Sequence, residues 1–278
     1  MISEKQVHKH GFVKLLEVMG NDEEVENAAR ISYGTGTRKV SQTRNLIRYL
    51  MRHNHTSPFE MCEVKFHLKL PIFVMRQIVR HRTANINEYS GRYSIMSDDF
   101  YLPAEKDVHE QSEQNNQGRG KEIDEDNKQL VLGRMYDVNE HAKSCYRQIS
   151  EPNDLDGFYD GFKGIARELA RAILPVSNYT ECIWKIDLNN FFKFCNLRMD
   201  SHTQQETRDY AEAMYGLVEP KFPICCEAFE DYVFNSVIFS QKEMKIIKDN
   251  LNGSWIMSKY GLSERESKEF LLKLKGVE

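Results

Sequence analysis

Residues 63 to 70 alternate without a break: Val64, Phe66, Leu68 and Leu70 are apolar, while Glu63, Lys65, His67 and Lys69 are polar. Period-two alternation sends the two sets to opposite faces of an extended chain, so this segment is expected to be a half-buried strand. Pro71 then suits the first turn of a helix, in which Ile72, Met75, Ile78 and Val79 pack one side and Arg76 and Arg80, four apart, share another. Strand and helix together deliver a basic tip, RHRTANINEYSGRY over residues 80 to 93.

The flanking chain reads as helix with a second strand. Residues 22 to 33 begin with acids and carry Val25, Ala28 and Ala29 at helical spacing, before Gly34 and Gly36. Ser41 is placed to cap a helix with the stripe Leu46, Ile47, Leu50 and Met51. A long helix is expected to end near Ile149, and a further one carries Phe162, Ile165, Leu169 and Ile173 up to Pro175, with Arg167 and Arg171 sharing a face. Residues 179 to 186, YTECIWKI, have strand composition, and Asp187 is placed to cap a helix through Phe191, Phe192 and Cys195. Ser201 is the expected cap of the next helix, and the last part reads as helices around Phe229–Phe239 and Glu264–Leu274. The expectation is one α+β domain over residues 1 to 278, with a C-terminal helical extension from 231.

The 278 residues carry 38 Lys plus Arg against 42 Asp plus Glu. That balance excludes a polybasic coat for nucleic acid, and 40% apolar residues exclude a disordered chain. Residues 105 to 128 hold eight acids and four bases, with Val108 and Ile123 as their only aliphatic residues, and are expected to be a polar, flexible insertion. None of the six cysteines makes a CxxC pair. With no apolar signal core at the N-terminus, reduced buried thiols and a cytoplasmic location are expected.

Four arginines, one histidine and one glutamate between Arg76 and Arg92 give a local charge of +3 in a chain that is otherwise nearly balanced. Guanidinium forks bind phosphate bidentately and stack on flat rings, and Ser90–Gly91 adds backbone N–H groups for the same anion. A solvated helix end with surface ion pairs is the other reading of such a cluster. No GxxxxGK[ST] occurs, and Gly34–Thr35–Gly36 lacks the third glycine of a dinucleotide fingerprint, so a nucleotide would be held by side chains. His53 and His55 near Glu60 and Glu63 do not have HExxH spacing, and no metal is assigned to them. Taken alone, Arg171 and Arg198 read as structural, ion-paired arginines.

The tip resembles the RHR-x7-S signature of the flavin-dependent thymidylate synthases, with Arg80, His81, Arg82 and Ser90 in register. Three more blocks agree in order and spacing: His55–Thr56–Ser57–Pro58–Phe59–Glu60, Ala170–Arg171–Ala172–Ile173–Leu174–Pro175, and Asn196–Leu197–Arg198–Met199–Asp200–Ser201–His202. The resemblance covers roughly residues 15 to 230. It implies a mainly antiparallel central sheet flanked by helices, a homotetramer with shared active sites, and FAD bound without a Rossmann domain. The implied reaction is reductive methylation of dUMP to dTMP, with methylenetetrahydrofolate giving the carbon and NADPH reducing the flavin. Implied dUMP contacts are Gln77, Arg80, Glu88, Ser90, Gly91, Arg92, Arg171 and Arg198. Implied FAD contacts are His55, Ser57, Arg80, His81, Arg82, Glu88, Asp187 and Asn189. Arg198 is implied to face the uracil. Ser90 is the other residue implied at the reacting base, and a binding role is preferred for it because no base stands in an obvious sequence relation to it. Asn189 and Lys193 stand where many relatives carry His or Arg and His or Asn, and Met61 where His is frequent. The rival readings are a nucleic-acid binder using Tyr89 and Tyr93, and an inactive relative.

Overall fold

The alternating segment lies at the centre of an antiparallel sheet in the computed structural model, which describes residues 3–31, 43–113, 118–153, 156–157, 161–242, 244 and 264–266. Its strands are β1 (Ser3–Val7), β2 (Gly11–Met19), β3 (Glu63–Pro71) and β4 (Asn85–Glu88), with β5 (His109–Gln111) and β6 (Arg119–Glu122) forming a separate hairpin and β7 (Tyr179–Asp187) completing the set. The sheet order is β1-β2-β3-β7-β4, antiparallel throughout. Helices are α1 (Asp22–Ile31), α2 (Thr43–Arg52), α3 (Ser57–Glu60), α4 (Ile72–Ile78), α5 (Glu125–Ser150), α6 (Arg167–Ala170), α7 (Leu188–Arg198), α8 (Gln205–Val218) and α9 (Pro223–Phe229). The mixed, mainly antiparallel architecture matches the expectation. No helix among the described residues is long and apolar enough to cross a membrane.

Val64, Phe66, Leu68 and Leu70 are all fully buried, and the β3–β7 register sets Phe66 opposite Trp184 and Leu68 opposite Cys182. Trp184 lies 5.1 Å from Phe194 and Phe66 lies 5.8 Å from Phe191, ring centre to ring centre, so α7 packs on this face. On the other face the polar set makes half-buried pairs, including Lys185 Nζ to Glu63 at 2.7 Å and His67 to Glu181 at 2.8 Å. Pro71 ends the strand and serves as the extended N-cap of α4, one position ahead of the expected first turn.

Local chemistry sets several boundaries. Asp187 caps α7, its carboxylate accepting from Asn190 N at 2.9 Å and Asn190 Nδ2 at 2.7 Å. Asn54, at φ +55°, closes α2: the His55 N–H donates to the Leu50 carbonyl and the Asn54 N–H to that of Met51. Asp22 is buried at the start of α1, and its two oxygens accept from the Ile224 and Cys225 N–H groups, both at 2.9 Å. It therefore supplies a cap to α9 from more than two hundred residues away in sequence.

Four expectations are corrected. Within residues 105 to 128 the chain forms the β5–β6 hairpin, buries Val108, and ties Arg119 to Asp107 and Glu206, so long-range ion pairing gives order that a lack of apolar residues concealed. Phe162, Ile165, Leu169 and Ile173 do not share a buried helical stripe: only Arg167–Ala170 forms an α-turn, and all four side chains are exposed. The N-cap of α8 is Gln204, not Ser201. The chain divides into two compact units, Met1–Phe234 and Asn235–Glu278. Around Phe229–Phe239, α9 runs into a π-helical turn at Glu230–Phe234 and residues 236–240 are not helical. Of the expected last helix, Glu264–Glu266 is helical and the rest lies outside the described residues, as do Gly34, Gly36 and Ser41.

The Asp22→Ala variant leaves two buried N–H groups of α9 unsatisfied, an expected cost of about 1–2 kcal/mol. Thermal unfolding checks this at about 2–4 °C per kcal/mol. An unchanged Tm would show that the cap carries no stability.

Candidate functional site

The expected site residues fall into three groups. The first gathers where α2, α3 and α7 meet. The closing turn of α2 places the exposed His55, Ser57 opens α3, and Asn189 Nδ2 donates to Glu60 Oε1 at 3.3 Å. Phe59 anchors α3 against Phe192 at 6.5 Å. Both carboxylate oxygens of Asp187 are engaged by Asn190, so its side chain works as a helix cap here.

The second group stands at the other end of α7, about 15 Å along its axis for eleven residues. Arg198 Nε donates to His81 Nε2 at 3.0 Å, and Nη2 donates to the Gln77 carbonyl at 2.9 Å. An imidazole that accepts at Nε2 is neutral and carries its proton on Nδ1. Burial, and secondarily the Arg198 charge, pull the His81 pKa down to about 4, and burial also lowers that of Arg198. Phe194 meets the His81 ring edge-on at 4.9 Å. Gln77 Nε2 donates to Gln204 Oε1 at 2.6 Å. Arg76, Arg80 and Arg82 are exposed beside this group and have no carboxylate partner among the described residues.

The third group lines a cleft of about 310 Å³ near the first turn of α4, bounded by Ile72, Glu88, Ser90, Gly91, Arg171 and Thr180 among others. Glu88 Oε1 accepts from Thr180 Oγ1 at 2.9 Å. The Tyr93 and Ser94 N–H groups fold back onto the Ser90 carbonyl, and the Arg92 N–H reaches Ser90 Oγ at 3.3 Å. A β-carbon on Gly91 would stand 2.7 Å from Met96 Sδ and 3.1 Å from Arg171 Cδ, so glycine is what lets the Arg171 stem lie on the turn. Arg171 has no carboxylate partner among the described residues. No imidazole or carboxylate among them hydrogen-bonds the Ser90 hydroxyl.

The structure thus joins Arg198 with His81 and Gln77, and Ser90, Gly91 and Glu88 with Arg171, while His55, Ser57 and Asn189 stand apart at the far end of α7. Three residues escaped the sequence reading as parts of the site. Arg167 Nη1 donates to the Tyr93 carbonyl at 2.8 Å and Glu168 accepts from Arg92 Nε at 3.2 Å, so α6 braces the turn that Arg171 faces. The spacing of Arg167 and Arg171 on one face was its only signal. Nothing in the sequence marks Gln204 as the partner of Gln77.

Known proteins resemble this chain along most of its length. The family described as "Thymidylate synthase complementing protein" matches residues 14–224. A flavin-dependent thymidylate synthase from Ruegeria pomeroyi is 47% identical over 262 residues, 94% of this chain and 84% of that protein. One from Dictyostelium discoideum is 45% identical over 279 residues, covering 97% and 87%. Among solved structures, the UMP/dUMP methylase PolB from Streptomyces cacaoi, bound with 5-Br dUMP, superposes with a TM-score of 0.70 at 30% identity, covering 83% of this chain and 99% of that one.

The pairing of Arg198 with His81 has a measurable sign. As pH falls below about 6.5 an unfolded chain protonates this histidine, whereas the folded protein does not until about 4, so His81 subtracts stability across that window and is neutral above it. In Arg198→Met the His81 titration midpoint is expected to rise from about 4 and, because burial persists, to stay below 6.5. The Cε1–H resonance of 13C-histidine-labelled protein reads it. An unmoved midpoint would show that the guanidinium does not act on the ring.

Proposed function

Because the chain belongs to the flavin-dependent thymidylate synthase family, we propose that it methylates dUMP reductively to dTMP, with methylenetetrahydrofolate as carbon donor and NADPH as reductant of bound FAD. The observation that carries this reading is the cleft in which the Ser90–Arg92 turn meets Arg171. It offers a guanidinium with no carboxylate partner among the described residues and a glycine-lined approach, which suits the phosphate of a mononucleotide. A polynucleotide reading is not favoured, since the chain carries a net charge of −4 and non-specific binding relies on an extended basic face.

In this reading Arg171, Ser90, Gly91 and Arg92 hold the phosphate, Arg92 exchanging its Glu168 partner for it. Glu88, Gln77 and Arg80 fix the remainder of the nucleotide. Arg198 faces the uracil. Its partners, a neutral imidazole and a carbonyl, leave its charge uncancelled, so it favours an anionic base as negative charge develops there.

FAD, when bound, supplies the hydride chemistry that no side chain can. The residues present fit it. Arg80 and Arg82, exposed and without carboxylate partners among the described residues, suit a pyrophosphate, and His55, Ser57, His81, Glu88 and Asn189 offer hydrogen-bonding groups. Asp187 contributes by capping the helix on which Asn189 stands. One copy keeps the His55 and Arg198 groups apart at the two ends of α7. A homotetramer with shared sites brings groups from different copies together, and it covers Leu169, Ile173 and Val176, which flank Arg171 and are 64, 44 and 49% exposed.

An absorption spectrum of the purified protein, loaded with FAD and freed of excess, tests the reading. A retained yellow chromophore that bleaches anaerobically with NADPH and dUMP is expected, and failure to retain flavin in the presence of dUMP would overturn it. The Arg171→Ala variant should weaken dUMP binding by about 1.5–3 kcal/mol, the range for a charged hydrogen bond. Unchanged affinity would assign Arg171 to structure alone.

A further inference from the structure

The apolar face of β7 carries one hydroxyl. Thr180, Cys182, Trp184 and Ile186 alternate along the strand and are each 2% exposed or less, and on the neighbouring strand Thr180 is paired with Leu70. A valine would fill such a position at no polar cost, whereas a buried hydroxyl needs a partner. Thr180 Oγ1 finds it in Glu88 Oε1, 2.9 Å away. The register explains the reach: Glu88 is paired with Cys182, which puts its side chain on the same face as Thr180, two residues along. The Tyr89 N–H extends this pairing by donating to the Glu181 carbonyl at 2.8 Å, and so fixes the backbone from which the carboxylate departs.

A carboxylate only accepts hydrogen bonds, so Thr180 is the donor and Glu88 Oε1 is committed to it. Tyr89 and Ser90, which line the same cleft, are turned to partners of their own: the Tyr89 hydroxyl donates to the Ile95 carbonyl at 2.7 Å, and Ser90 Oγ accepts from the Arg92 N–H at 3.3 Å. Among the described residues only Thr180 hydrogen-bonds the Glu88 side chain, and Oε2 is left for something else. We propose that Thr180 is a positioning residue, which holds Glu88 so that its second carboxylate oxygen accepts a hydrogen bond from the 3′-hydroxyl of the nucleotide. The inference rests on the reading that Glu88 contacts dUMP. Like charge keeps the carboxylate off the phosphate, which in that reading goes to Arg171 and the Ser90–Arg92 turn, and the imide goes to Arg198. The sugar hydroxyl is the donor that remains, and an anionic acceptor strengthens the bond it makes.

Steady-state kinetics on the FAD-loaded enzyme with dUMP varied, together with inhibition by 2′,3′-dideoxyuridine 5′-monophosphate, which lacks that hydroxyl, test the assignment. Thr180→Val keeps the volume and the branched side chain and removes only the donor. Its KM for dUMP is expected to rise about fivefold with kcat within about twofold, and Thr180→Ser to bring KM back to within about twofold of the parent. The inhibition constant of the dideoxy nucleotide should be the same for Thr180→Val and the parent, because the contact that Thr180 orients is missing from that ligand. Should Thr180→Val not fold, Thr180→Ala reads the same comparison of the two nucleotides. An equal loss of affinity for the dideoxy nucleotide, no rescue by serine, or a fall in kcat at unchanged KM overturns the proposal. Glu88→Ala leaving the KM for dUMP unchanged would instead show that dUMP does not reach Glu88, and would remove the premise and the proposal with it.

Discussion

Everything functional in this chain hangs on the pairing of β3 with β7. The register puts Phe66 against Trp184, both essentially inaccessible to water, and burial of two such rings contributes several kcal/mol that a slip of one residue would forfeit while driving Lys65 and Lys185 into the core. From β7 the chain reaches the site in two directions. Its end, Asp187, starts α7 and thereby sets where Arg198 emerges eleven residues later. Its free edge pairs with β4 and brings Glu88 within 2.9 Å of Thr180, next to the Ser90 turn. The sheet is thus the ruler from which two of the three groups of site residues are measured.

Charge is distributed around that frame by a second constraint. Several arginines outside the site are neutralised: Arg44 by Glu227, Arg147 by Asp98, Arg119 by Asp107 and Glu206. Those of the RHR tip, with Arg171 and Arg198, have no carboxylate among the described residues. Unpaired like charges close together oppose folding, and the tip keeps that cost low by holding Arg76, Arg80 and Arg82 in water, where the dielectric screens them. Arg92 is the exception that fits the rule. It is paired, but with an exposed Glu168 that competes only weakly with a phosphate.

Local periodicity made β3, α4, β7 and the Asp187 cap legible in the sequence, because each is dictated by neighbours within a few residues. The four motif blocks supplied candidate site residues one by one, but not their grouping, since nothing in the sequence says that His55 and Arg198 stand at opposite ends of α7. The failures share a cause. The Glu105–Lys128 segment has only two aliphatic residues, yet Arg119 finds a buried carboxylate 87 residues away, and Asp22 caps a helix 202 residues away. The stripe Phe162, Ile165, Leu169 and Ile173 has helical spacing without a buried face, and exposure is decided by what covers a segment rather than by its own pattern. Gln204 was invisible because amide-to-amide contacts leave no compositional trace.

The partner chosen for Arg198 shows how burial and reactivity are reconciled. A half-buried guanidinium is ordinarily stabilised by a carboxylate, and in the role proposed for Arg198 that anion would cancel the field offered to the pyrimidine. Here the acceptors are a main-chain carbonyl and an imidazole. The imidazole serves only while it is neutral, and His81 is kept so by being withdrawn from water against Phe194 beside a fixed positive charge. Desolvation that would be a liability for an isolated cation therefore becomes the means of orienting one. The ring that holds Arg198 loses its acceptor lone pair only near pH 4, well below the range in which a nucleoside monophosphate carries its full phosphate charge.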